Sequence, residues 1–184
     1  VSDIPPLTRL NSVSKIAIQI TSGPAFALGV AQIGPLAAGT EIPESFRSDQ
    51  PAGTSIIRDV AGHAIEGWRD IGHAKARVDQ QVIKADHQRA RLDVWLGLVP
   101  GPKVQFGELM ISGESAVRKD RIREIAAIPK DRVFSPDAVE FAATRLRNTG
   151  AFSSVTLREA DDLRTGDVLD IELSVVDAKP RRFG

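Results

Sequence analysis

The chain has 184 residues, with 24 Lys+Arg against 24 Asp+Glu and no cysteine. Its zero formal charge argues against the electrostatic footprint that gathers DNA, RNA or anionic lipid, so no nucleic-acid partner is expected. The missing thiols exclude disulfides, zinc knuckles and cysteine nucleophiles.

The elements repeat with a period near 78 residues. Gly23-Pro24 recurs as Gly101-Pro102, Gly29 as Gly107, and the WRDIG ending at Gly72 as the LRNTG ending at Gly150. The run RLDVWLGLV from Arg91 returns as VLDIELSVV from Val168. A period of this length marks one supersecondary unit copied in tandem, which displays surface to partners. The expected division is 1–23 as the tail of a preceding unit, then units at 24–101 and 102–184. Both ends read as cuts inside the repeat. The opening VSDIPP lacks the basic start and apolar run of a secretory leader.

Ile16 to Thr40 carries no charge and is long enough to cross a bilayer core of about 30 Å. Gln19, Thr21, Ser22 and Gln32 interrupt it, and Gly23-Pro24 and Gly34-Pro35 are turn dipeptides, so it predicts two adjacent strands. The segment from Pro35 to Gly53, broken by Pro43 and Pro51, predicts an irregular loop with at most one helical turn. Ser55 to Ile71 predicts a helix, because Ile57, Val60, Ala61, Ala64 and Trp68 share one face and Gly72 follows as a cap. Strands are predicted at Ala76–Lys84 and Arg91–Val99.

In the second unit Val104 to Ile111 predicts a strand. Val104 and Phe106 share a face, but Leu109 and Ile111 have the opposite parity, which predicts a one-residue bulge at Gly107. Arg118 to Ile128 predicts a helix burying Ile122, Ile125 and Ala126, ended by Pro129. Ser135-Pro136-Asp137 predicts a second helix start with a hydroxyl cap, and Val139, Ala142, Ala143 and Leu146 its buried stripe. Gly150 predicts its left-handed cap. Ser153–Leu157 and Val168–Val176 predict a closing hairpin.

Each unit therefore reads as α+β of order βααββ, a three-stranded mixed sheet with helices on one face. A helical crossover places the last strand in the centre. The first hairpin strand then lies at an edge, where free backbone groups accept a strand from another chain. This makes Arg77, Val78, Gln80 and Val82 in the first unit, and Ser153, Val155 and Leu157 in the second, the candidate partner-binding residues. Lys75, Arg77 and Lys84 would guard the first edge against unwanted pairing.

No catalytic, cofactor or metal residues are expected. His63, His73 and His87 lack metal-site spacing, and the glycines form neither GxGxxG nor GxxxxGK[ST]. Trp68 reads as core. Trp95, opposite in parity to Val94 and Leu96, belongs on the outer sheet face or at the junction between units.

The second unit, with GPKVQFGELMISGESAVRKDRIREI and RLRNTGAF at Arg145–Phe152, resembles the POTRA domains of outer-membrane assembly proteins. The terminal Arg182-Phe183-Gly184 resembles their approach to a membrane barrel. GWRDIGHAKARV at Gly67–Val78 resembles the TamA-like branch of that family. The resemblance implies non-enzymatic periplasmic modules tied to the outer membrane, with no cofactor. It also implies three partners: a C-terminal β-barrel of the same protein, a TamB-like inner-membrane-anchored protein, and nascent outer-membrane or autotransporter polypeptides. The BamA-like assembly factors and two-partner-secretion transporters are the alternative branches.

Overall fold

A computed structural model describes residues 23–179. Expectations that fall on residues 1–22 and 180–184, including the preceding tail and the Arg182-Phe183-Gly184 approach, lie outside the described residues. The first unit runs β1 (Ala27–Gly34), a 3-10 turn (Glu44–Phe46), α1 (Thr54–Asp70), β2 (Arg77–Asp86) and β3 (Arg91–Val99). The second runs β4 (Gln105–Ser112), α2 (Lys119–Ala126), α3 (Pro136–Asn148), β5 (Phe152–Glu159) and β6 (Val168–Asp177). The sheets have orders β1-β3-β2 and β4-β6-β5, so the closing strand is central in each. It is parallel to the first strand and antiparallel to its hairpin partner. Among the described residues no helix is long and apolar enough to cross a membrane.

The parity break in β4 is a register shift between Phe106 and Leu109, and β1 carries the same shift between Leu28 and Ala31. The bulge turns one amide out of each ladder, and a carboxylate on the central strand takes it. Asp170 accepts the Glu108 amide at 2.7 Å, and Asp93 accepts the Val30 amide at 2.7 Å. Only glycine allows this approach. A Cβ on Gly107 would stand 2.0 Å from Asp170 Oδ1, and one on Gly29 2.2 Å from Asp93 Oδ1.

α2 and α3 cover the second sheet, burying Ile122, Ala126, Ala142, Ala143 and Leu146 as the helical spacing predicts, with Val139 partly buried. Ser135 is extended and makes no side-chain cap bond, so proline at N1 starts α3 without the expected hydroxyl. Arg145 does not serve its own helix end. It donates to the carbonyls of Ile125, Ala126 and Ala127, the open C-terminus of α2.

The first unit has one helix, as the prolines dictate, and Phe46 on the 3-10 turn is buried where a second helix would pack. Its main cluster holds six buried apolar residues, whereas the cluster centred on the second unit holds fifteen, Ala74 of the first unit among them. So small a core leaves the first unit dependent on its surroundings.

Two outcomes test this account. Gly107→Ala should destabilise the second unit by about 2–3 kcal/mol, combining the clash with the loss of a charge-assisted bond. Urea titration should show less than additive loss when Asp170→Ala is added, since both changes remove one interaction. Asp177 accepts bonds from the Ser115 hydroxyl and the Ala116 amide, which hold its carboxyl below the ordinary 3.8. A depressed folded value means that this support is present above the unfolded value and is lost as pH falls through the folded one. The Ala116 amide signal should therefore titrate below pH 3.8 and stop titrating in Asp177→Asn.

Candidate interaction surfaces

Each sheet has two edges, and they are unequally covered. A short segment lies along the start of each first strand. Leu28 donates to Gln50 and Ala52 donates to Phe26, while Phe106 donates to Arg132 and Phe134 donates to Val104. On the opposite edge of the second sheet, β5 turns Phe152 and Val155 into the core, with α3 packed beside it. The Arg147 guanidinium also reaches the Val155 carbonyl at 3.5 Å. Val155 thus holds the fold, and its side chain is not available to set a partner's register. Leu157 packs against the same core, whereas Ser153 is exposed.

β2 is different. It is ten residues long, pairs among the described residues with β3 alone, and is exposed along almost its whole length. Arg77, Gln80 and Val82 are exposed and Val78 is half-buried, so all four stand on an open edge. Lys84 lies over the Trp95 ring, 5.5 Å from its centroid, on the outer sheet face where Trp95 pairs across to Val82. Trp95 therefore sits on that outer face rather than at the junction. Trp68 is not in the main cluster of its unit. Its indole donates to the Pro35 carbonyl and pins the loop against α1.

The turn after α1 grips the second unit. Gly72, at φ +103°, accepts the Val104 amide at 2.9 Å, and Ala74 is buried in the second unit's core. Arg69 donates to the Ala74 carbonyl, pairs with Glu159, and lies over the Phe134 ring. Lys75 donates to the Ala160 carbonyl at 2.6 Å. His73 Nδ1–H donates to Gly101, inside the Pro100-Gly101-Pro102 linker, at 2.8 Å. With Arg69 and Glu159 both mostly shielded from solvent, this pair resists screening better than a surface one. Sequence reasoning found the linker but missed this anchor, whose partners lie from 28 to 90 positions apart.

His63, His73 and His87 lie on separate elements, with His73 in the junction and His87 edge-on to Phe26. Among the described residues no group of three His, Cys, Asp or Glu stands close enough to hold a metal ion.

Residues 104–176 match the POTRA family model, described as a surface antigen variable number repeat. The second unit thus carries the POTRA sequence signature, and the fold of both units has solved counterparts. POTRA3-5 of Haemophilus influenzae BamA is 21% identical with a TM-score of 0.69, covering 83% of this chain and 61% of that one. BamA from Haemophilus ducreyi lacking POTRA domains 1-3 is 16% identical at 0.61, covering 84% of this chain and 29% of that one. POTRA1-2 of Anabaena Omp85 is 11% identical at 0.50, covering 87% and 100%. No curated protein sequence matches the chain. The chain spans about 61% of the length of the Haemophilus influenzae fragment.

These contacts tie the turn after α1 to the second unit. In 15N relaxation the two units should report a single correlation time, and Arg69→Ala should separate them. A double-mutant cycle of Arg69 and Glu159 should give a coupling of about 1 kcal/mol. Independent tumbling of the parent units would reject the anchor.

Proposed function

We propose that the chain is a run of periplasmic interaction modules from an Omp85-type outer-membrane assembly or secretion protein, and that β2 receives a client or partner strand. The observation that carries this is the exposure of β2 along almost its whole length, where the starts of β1 and β4 are each lined by a short segment and β5 turns Phe152 and Val155 into the core. Main-chain hydrogen bonds supply affinity there, and alternate side chains supply register. The added strand would meet Val82 and Trp95 on one face of the sheet and Ile83 on the other. β5, with Ser153 exposed and Val155 and Leu157 turned inward, is the weaker second edge.

The POTRA match of the second unit supports this reading, and so does the likeness of both units to BamA fragments. Under it the chain works without a cofactor or catalytic residue, tethered to the outer membrane by a C-terminal β-barrel of the same protein. GWRDIGHAKA, at Gly67–Ala76, supports the TamA-like branch, whose partner is a TamB-like inner-membrane-anchored protein and whose clients are nascent outer-membrane or autotransporter polypeptides. The extent of the BamA likeness, across both units, favours the BamA-like branch as the second reading.

Adjacent residues of an antiparallel strand point their amides to opposite sides. Of Gln81→Pro and Val82→Pro, one therefore removes a bond to β3 and the other an outward donor. The variant that removes the outward donor should remain folded and bind extended barrel-strand peptides about tenfold more weakly. Photo-crosslinking and titration of the 184-residue chain would read this. Undiminished binding by both variants, each folded, would reject pairing at β2.

A further inference from the structure

Among the described residues, the junction inside this chain has an unfilled counterpart at the far end of the first unit. The surface of the second unit that receives α1's turn includes Val104, Phe134 and Glu159. The register of the two sheets gives each an equivalent. Phe26 accepts the Ala52 amide as Val104 accepts the Phe134 amide. Ile83 pairs with Val94 as Glu159 pairs with Ile171, and Val94 and Ile171 face Ala31 and Leu109 at matching positions. In the second unit this place is closed, with Val104 and Phe134 buried. In the first unit Phe26, Ala52 and Ile83, together with Ile57 and Leu92, line an open groove of about 430 Å³ between α1 and β2. Ile83 remains 43% exposed there.

We infer that this groove is a socket for the helix-terminal turn of another unit of the same fold, lying N-terminal to the first. The inference rests on reading the chain as part of an array, and it separates the groove from the outer edge of β2. The occupant is specified by what the socket lacks. Alanine at position 52 replaces the Phe134 ring, which leaves the groove deeper. Isoleucine at position 83 replaces Glu159, which removes the acceptor that Arg69 needs. The incoming turn therefore presents a larger apolar side chain than Ala74 and no arginine partner, since nothing here would neutralise a buried guanidinium.

The chain has no cysteine, so single thiols report the groove cleanly. Ile83→Cys faces the groove, and Val82→Cys faces the opposite side of the same strand. In the complete natural protein Ile83→Cys should react with a maleimide about tenfold or more slowly than in the 184-residue chain, because docking buries it. Val82→Cys should react equally in both. Equal rates for Ile83→Cys would overturn the socket. So would protection that appears only when barrel-strand peptides are added, which would assign the groove to clients. Peptide binding at β2 that fails while Ile83→Cys remains protected would instead reject the edge-pairing reading and leave the socket standing.

Discussion

Asp93 and Asp170 accept the amides that a bulge has turned out of the neighbouring strand, and through those two bonds the register of each sheet is set. Strand side chains alternate with a period of two, so an uncorrected parity change would send half of the apolar residues of β4 to solvent. The bulge corrects it, and Val104, Phe106 and Leu109 are all buried. The carboxylate can reach the displaced amide only because the strand carries glycine at that point, at Gly29 and again at Gly107. One aspartate and one glycine, repeated, thus decide which face of each unit is core. The helices, the covered edges and the open edge follow from that choice.

The two units use this shared frame unequally. The second has two helices, a large core, and an Arg145 side chain that closes the end of α2. The first has exchanged a helix for a proline-rich loop with Phe46 as its plug. What it loses in self-sufficiency it recovers at the junction, where Gly72, Ala74 and Arg69 are engaged by the second unit. α1, the counterpart of α3, packs less closely against β2 than α3 packs against β5, and β2 is left exposed along most of its length.

Recognition by a strand edge does not demand charge, and the balanced composition is consistent with that. Backbone donors and acceptors carry the affinity, and such a surface takes many sequences that share an extended shape. Lys84 illustrates a second use of charge. It lies over Trp95, on the outer face beside the open edge, where it shields apolar surface while keeping its ammonium in water. Edge strands left wholly apolar invite aggregation, and a lysine at this position opposes it.

Much of the fold was legible because local rules agree with tertiary ones here. Proline spacing excluded a second helix in the first unit, helical spacing named the stripes of α1 to α3, and the parity change in β4 located the bulge. The 78-residue repeat and the crossover rule placed the closing strands at the centre. Other features are not local. Trp68 has the spacing of a core residue, yet its indole has to satisfy a donor and so turns to Pro35. Val155 and Ser153 both lie on the predicted edge strand, but only packing beneath α3 decides which of them is buried. The role of Arg69, His73 and Lys75 rests on contacts with residues distant in sequence, which no periodicity encodes. The chain by itself determined which segments are strands and helices and how they repeat, because hydrophobic period and backbone restriction act over a few residues. Tertiary structure alone decided which edge stays open and how one unit grips the next, because those outcomes depend on surfaces that exist only after each sheet has closed.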